Sequence, residues 1–193
     1  MTASATTTPA SATGLTTSAR SRTVAIAAAV AIAVAAAPNL AMLPALAAFN
    51  VVVVVIAVVD IAEFKVPNRI LGPSFLMAAL LMVAASAFTG EWTRLGRASA
   101  VAAVVFAAFL ALALVAPGSL GLGDVKLAPY LALHLAWLAP VVCWWGFLIG
   151  SATAGVWSAA ALRRRRGKKV MLPYAPFLGA GALMAELIAR TVL

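Results

Sequence analysis

Long apolar stretches separated by short polar connections run through the chain. Most of them approach the ~20 residues that a helix rising 1.5 Å per residue needs to cross ~30 Å of hydrocarbon. None alternates with the period of a barrel strand, and backbone groups in lipid must be hydrogen-bonded internally. The pattern predicts an all-α fold, a polytopic transmembrane helix bundle of six to seven spans, at residues 23–37, 41–61, 70–88, 98–116, 125–138, 141–162 and 175–192.

The short fifth segment and the N-terminal region depart from this simple pattern of spans. Segment 125–138 would cover only about 21 Å as a helix, so we expect it to begin below the membrane surface or to cross a thinned region. Residues 1–19 are rich in Ser, Thr and Ala and predict a disordered tail. The arginines and apolar run that follow, at 20–38, fit either an additional N-terminal span or a signal-like segment. Residues 39–193 form the predicted main membrane domain.

Composition supports the membrane interpretation and orients it. The chain is 65% hydrophobic and only 10% charged, with a mean hydropathy of +1.08. Its net charge of +9 comes from short clusters between apolar runs, which argues against nucleic-acid binding and for orientation of spans. With a cytoplasmic N-terminus, only three of the 14 basic residues face outward: Arg94, Arg97 and Arg190. The single cysteine, Cys143, excludes an intrachain disulfide.

Only five carboxylates are present, and each requires a reason in so apolar a chain. Glu63 and Glu91 fall in polar loops and are expected to be solvated. Glu186 stands four residues before Arg190, a spacing typical of an ion pair on one helix face. On the short fifth segment, His134 is expected to make a helix-packing hydrogen bond. The pattern assigns three tryptophans to an interfacial belt: Trp137, Trp144 and Trp145.

Asp60 and Asp124 are the two carboxylates that suggest chemistry. Asp60 closes the second apolar segment and Asp124 opens the fifth, so both lie at the cytoplasmic ends of spans. Two carboxylates in a site of low dielectric share a proton, so that one can activate water while the other protonates or hydrogen-bonds a scissile carbonyl. This is the chemistry of an aspartic protease. Two alternatives stay open: Asp124 is an ordinary helix N-cap, or the pair serves an ion-coupled transporter.

Three motifs favour the protease. Residues 121–124 read GLGD, a GxGD signature in which glycines allow close backbone approach, and the longer GLGDVKLAPYLAL resembles the second catalytic motif of the type IV prepilin peptidase family. The segment DIAEFKVPNRIL at 60–71 resembles the family's first motif, in which Pro67 ends one helix and Asn68 caps the next. LPYAPFLGAGAL at 172–183 is similar to the start of the family's last helix.

The resemblance covers roughly residues 51–183 and implies roles for individual residues. It makes Asp60 and Asp124 the catalytic pair of a membrane aspartic endopeptidase without metal or cofactor. Active-site shaping falls to five neighbours: Gly121, Gly123, Lys126, Pro67 and Asn68. Lys126 is expected to contact a carboxylate or a lipid phosphate, or to anchor at the membrane surface.

The resemblance also implies substrate and location. The substrates would be prepilin or pseudopilin precursors, cut after a glycine that follows a short basic leader, at the cytoplasmic face of a bacterial inner membrane. Bifunctional relatives carry a methyltransferase domain with paired CxxC motifs. With one cysteine and no room for that domain, the chain resembles the short, peptidase-only form. The alternatives are another GxGD protease that cuts within transmembrane segments, a non-catalytic assembly subunit, or the transporter.

Overall fold

Seven α-helices make up the part of the chain that the structure describes. The structure is a computed structural model that covers residues 12–116, 120–165 and 173–192, and these residues contain no β-strand, which confirms the predicted all-α class. In chain order the helices are α1 (Ala12–Ala36), α2 (Leu43–Glu63), α3 (Asn68–Thr89), α4 (Trp92–Val115), α5 (Leu122–Leu138), α6 (Pro140–Arg165) and α7 (Ala175–Val192).

The short helix α5 lies at the centre of the bundle. Every side chain from Leu127 to Leu138 is buried, and α3, α4, α6 and α7 all pack against the helix. A helix of 17 residues is too short to cross the hydrocarbon alone. Neighbouring helices rather than lipid cover α5, so α5 does not have to span the hydrocarbon by itself. Its side chains can still be apolar on every face, because each face packs against protein. The central position of α5 is not visible in its length or periodicity.

Among the described residues, four helices are long and apolar enough to cross a membrane: α2, α3, α4 and α6. The apolar parts of α1 and α7 are shorter, at Thr23–Ala36 and Ala175–Ala189. The structure therefore contains all seven predicted apolar segments as helices, and six to seven crossings stays a prediction. Apart from α1, the largest change of boundary is in α4, which begins at Trp92 rather than at residue 98. Its first two turns are helical although they carry Arg94 and Arg97.

The first helix extends into the stretch assigned to a disordered tail. α1 begins at Ala12, so residues 12–19 are helical, whereas residues 1–11 lie outside the described part of the chain. Alanine has the highest helix propensity, and extending an existing apolar helix avoids the cost of nucleation. Among the α1 side chains whose burial is described, three alanines are buried where the helix packs on α2 and α7: Ala29, Ala33 and Ala36.

The interior holds a polar contact that joins α1, α2 and α7. Asn50 Nδ2 donates to Glu186 Oε2 at 2.8 Å and to the Ala29 carbonyl at 3.1 Å, and both polar side chains are fully buried. Glu186 thus faces the bundle interior and contacts Asn50. The side chain of Arg190, its predicted partner, lies outside the described part.

The predictions for α5 were right for histidine and wrong for one tryptophan. His134 is buried, its Nδ1 lies 2.9 Å from the Tyr130 carbonyl, and its ring stacks on Phe49 at 4.2 Å. Trp137 is fully buried, so it is not part of an interfacial belt, whereas Trp144 and Trp145 are exposed. The difference follows from the central position of α5, whose side chains face protein on all sides.

Candidate active site

Asp60 lies in the last turn of α2, with 5% of its surface exposed. The helix ends directly after it, at Phe64, whose φ of 53° and ψ of 39° are left-handed and whose N–H donates to the Asp60 carbonyl at 2.9 Å. The Asp60 side chain reaches across to α7, where its Oδ2 accepts a hydrogen bond from the Ala175 N–H at 3.1 Å. The start of α7 therefore fixes the orientation of this carboxylate.

Asp124 lies in the first turn of α5, at the same end of the bundle. Gly121 is the N-cap residue, in an extended conformation with φ −72° and ψ 141°, and the Gly121 carbonyl accepts from the Asp124 N–H at 3.0 Å. Asp124 is thus the third helical residue and not the N-cap. Its carboxylate instead accepts a hydrogen bond from the Gly121 N–H, as the side chain at this position of a capping box does.

The two carboxylates are close enough to influence each other. Asp124 stands ahead of the apolar stretch at 125–138. Burial raises its pKa from 3.8 to about 6, with the neighbouring Asp60 carboxylate adding to the increase and the Gly121 N–H opposing it. Two interacting carboxylates at the junction of α2, α5 and α7 can share one proton. The structure therefore brings together the pair that the sequence singled out.

Gly123 is the point at which the two aspartate-bearing segments touch. A Cβ atom built on Gly123 would lie 2.9 Å from the Cβ and 3.1 Å from the Cγ2 of Val66, which belongs to the connection between α2 and α3. Gly121 is restrictive for a different reason, since its added Cβ would lie 3.1 Å from the Asp124 Oδ2. Both glycines of GLGD thus make room for close contacts, one with the α2–α3 connection and one with the carboxylate itself.

The remaining predicted site residues lie on the rim of this end of the bundle. Pro67 is the N-cap residue of α3 and Asn68 its first helical residue, with no side-chain cap, so the predicted capping role of Asn68 is wrong. Its Oδ1 instead accepts from the Lys126 Nζ at 3.3 Å. Both side chains are exposed, and the contact ties the start of α3 to the first turns of α5.

Two contacts at the site could not be found from the motifs. The Ala175 backbone N–H is a donor that any residue type except proline supplies, so sequence gives no signal for it. Val66 is an ordinary apolar residue whose role depends on its distance from Gly123. Among the described residues, no group of three or more His, Cys, Asp or Glu side chains is arranged to hold a metal ion.

The sequence matches the type IV leader peptidase family over residues 46–158, more than half of the chain. The chain belongs to this family. The matched region contains Asp60, Asp124 and the contacts between their segments, and it ends before α7. The family is one of peptidases, as the motifs predicted.

The similarity to one named relative supports the same family assignment. The prepilin leader peptidase/N-methyltransferase of Bacillus subtilis (strain 168) is 29% identical over 156 residues, which cover 80% of this chain and 59% of the relative. The chain therefore spans about three fifths of the length of this bifunctional relative. No solved structure matches the chain significantly.

Proposed function

We propose that the protein is a membrane aspartic endopeptidase that removes the leader from type IV prepilin-like or pseudopilin precursors, with Asp60 and Asp124 as its catalytic pair. The observation that carries the proposal is the meeting of these two carboxylates at the junction of α2, α5 and α7 in a member of the leader peptidase family. The relative's printed name supports the same activity.

The geometry supports a division of roles between the carboxylates. The raised pKa of Asp124 suits it to hold the shared proton and to donate it toward the scissile carbonyl oxygen. The Ala175 N–H can only donate, so it keeps Asp60 Oδ2 an acceptor and leaves Oδ1 to take a proton from the attacking water. Water adds to the carbonyl carbon as its proton moves to Asp60. The C–N bond of the resulting diol then breaks as the leaving amine takes the proton from Asp60. One diol hydroxyl returns its proton to Asp124 as the carbonyl forms again, so the pair again holds one proton.

The finer assignment of substrate and face rests on charge. Arg163 to Arg165 end α6 at the end of the bundle that holds the aspartates, whereas Arg94 and Arg97 lie in the first turns of α4 at the other end. Excess basic residues mark the cytoplasmic side. We therefore assign the active site to the cytoplasmic face of the bacterial inner membrane, where a basic leader would be cut after a glycine, before the apolar helix of the substrate.

Packing supports a retained first helix. The Asn50 side chain, on α2, donates from Nδ2 to the Ala29 carbonyl of α1. Removing α1 would leave this N–H donor of a buried amide without an acceptor. We assign residues 20–38 to an additional span rather than to a cleaved signal. Intact-mass measurement of the membrane-purified protein tests this, because cleavage near residue 38 would remove α1.

The activity is tested with Asp60→Asn and Asp124→Asn. Each change keeps the size of the side chain and removes its acid–base chemistry, so we expect cleavage of a candidate prepilin in membranes to be lost in each variant while the protein still accumulates. Glu63→Gln is the matched control, since Glu63 is an exposed carboxylate three residues from Asp60. Cleavage that survives in both aspartate variants would refute the proposal. Cleavage inside the apolar helix of the substrate would instead favour a different GxGD protease.

A further inference from the structure

A groove of about 600 Å³ opens between α3 and α4, with α5 as its floor. Its α3 and α5 residues lie in the first turns of those helices, at the end of the bundle that holds the two aspartates. α3 supplies Leu71, Gly72 and Phe75, and α4 supplies two alanines and a phenylalanine: Ala102, Ala103 and Phe106. The residues at its α5 side are Lys126 and Pro129, and Asn68 completes the rim. The volume and the largely apolar lining, with polar groups at one end, are those of a binding site.

We propose that this groove, the α3–α4 groove, binds the first two turns of the substrate's apolar helix, directly after the scissile bond. This inference rests on the proposed peptidase function and adds the part of the substrate that the enzyme holds. It assigns substrate positioning to α3 and α4, two helices that contribute no catalytic side chain.

Continuity with the catalytic pair is the first argument. Lys126 follows Asp124 by two residues, a rise of about 3 Å along α5, and contacts Asn68 across the mouth of the groove. From Asn68 to Phe75 the groove wall rises about 10 Å along α3, the length of a helix of roughly seven residues. Because two residues turn an α-helix by about 200°, Lys126 lies on the face of α5 opposite to Asp124. A chain whose peptide bond lies at the aspartates would therefore pass over the first turn of α5 and enter the groove from this end of the bundle.

The shape of the walls is the second argument. α3 and α4 contact each other much less than α4 contacts α5, so the groove opens sideways between them. Its small residues, Gly72 and the two alanines, allow close approach of another helix, as small residues do at helix contacts in membranes. Phe75 is held in place edge-on against Tyr130 with ring centroids 5.3 Å apart, so this part of the wall is formed before anything binds.

The floor supplies a third argument. Pro129 lies inside α5 and has no N–H, so the carbonyl of Val125, four residues earlier, lacks its usual helical donor. Val125 stands between Asp124 and Lys126 in the first turns of α5, at the end of the bundle that holds the proposed catalytic pair. A substrate that unwinds near its scissile bond exposes backbone N–H groups in a poorly hydrated region, where an available carbonyl is a suitable acceptor.

Filling the groove tests the proposal. A Cβ on Gly72 meets no atom within 4 Å, so Gly72→Leu fits its own helix and directs a large side chain toward the space of the substrate. Gly155→Leu on α6 is the matched control, because Gly155 is also an exposed helical glycine with nothing within 4 Å of an added Cβ. For a full-length prepilin in lipid nanodiscs, we expect Gly72→Leu to raise KM roughly tenfold or more with kcat less affected, and Gly155→Leu to stay near wild type.

A crosslinking measurement identifies the occupant. A benzophenone amino acid at Ala103, in a protein that also carries Asp124→Asn to prevent turnover, should form an adduct with the prepilin when illuminated. Adducts with nanodisc lipid alone, or an unchanged KM in Gly72→Leu, would overturn the groove proposal while leaving the peptidase intact. If wild type cleaves no prepilin at all, the proposed function fails instead, so the two failures are distinguishable.

Discussion

Gly123→Ala tests whether the contact between the two aspartate-bearing segments sets the geometry of the site. The new Cβ would lie 2.9 Å from the Val66 Cβ and 3.1 Å from its Cγ2, whereas non-bonded carbon atoms prefer about 3.5 to 4.0 Å. Relief therefore requires a shift of roughly 0.6 to 1 Å between α5 and the α2–α3 connection. Overpacking of this kind costs about 1–3 kcal/mol of stability.

The shift would act directly on the proposed catalytic pair. Asp124 is the next residue on α5, and Val66 belongs to the short connection that follows Asp60. A displacement of about 1 Å in a catalytic arrangement can reduce the rate by roughly 100-fold. We expect Gly123→Ala to lower kcat for prepilin cleavage by about that factor, measured as initial rates by mass spectrometry, and to lower the melting temperature moderately.

Second-site changes at Val66 make this prediction specific. Val66→Gly removes the two nearest carbons, and the third nearest atom, the Val66 backbone nitrogen, lies at an ordinary 3.4 Å, so this change should restore much of the activity of Gly123→Ala. Val66→Ala keeps the Cβ at 2.9 Å and should restore little. Gly96→Ala on α4, with nothing within 4 Å of its new Cβ, should behave as wild type. Equal rescue by the two Val66 changes, or full activity of Gly123→Ala alone, would refute the reasoning.

Three further predictions concern stability and are read from thermal unfolding in detergent. The pKa of Asp124 is raised from 3.8 to about 6 in the folded protein, so the folded state holds a proton that the unfolded chain releases. Its contribution to the free energy of unfolding is fully present below pH 3.8 and is lost as pH rises through about 6, at most about 3 kcal/mol in all. Wild type should therefore lose more stability than Asp124→Asn between pH 4 and 7, and parallel profiles would contradict the shift. Phe64→Gly should be more stable than Phe64→Ala by about 1 kcal/mol, because only glycine adopts the left-handed φ of 53° without a steric cost. Equal melting temperatures of the two variants would contradict backbone strain at this residue. Glu186→Leu should destabilise the fold by about 1–3 kcal/mol, because it removes the acceptor of the buried Asn50 amide. Glu186→Gln keeps an acceptor oxygen and should destabilise it less. The reverse order would show that the contact with Asn50 does not stabilise the bundle.

Much of the fold could be predicted because lipid imposes a simple rule on sequence. A backbone in hydrocarbon must bond internally, so each long apolar segment had to be a helix, and the order of the segments put Asp60 and Asp124 at one end. The apolar segment at 175–192 coincides with α7, and the short segment at 125–138 corresponds to α5, the shortest helix in the described part of the chain. The family also followed from local motifs, since GLGD and the DIAEFKVPNR segment lie close to the chemistry they serve.

The arrangement of the helices around one another was decided only in three dimensions. Hydropathy reports how apolar a segment is and not whether lipid or protein covers it, so the central position of α5 and the burial of Trp137 were not predictable. Glu186 illustrates the same limit, because its sequence neighbour at i+4 is visible in the sequence whereas Asn50, 136 residues away, is not.

The helical class, the two candidate catalytic carboxylates and the family to which the chain belongs can all be read from the order of residues along the chain. The tertiary structure decided what surrounds those carboxylates. The Ala175 N–H on Asp60, the Val66 contact that makes Gly123 restrictive and the groove between α3 and α4 all join segments that are distant along the chain. Such contacts depend on distances of a few ångströms between backbones, and residue type alone does not encode them.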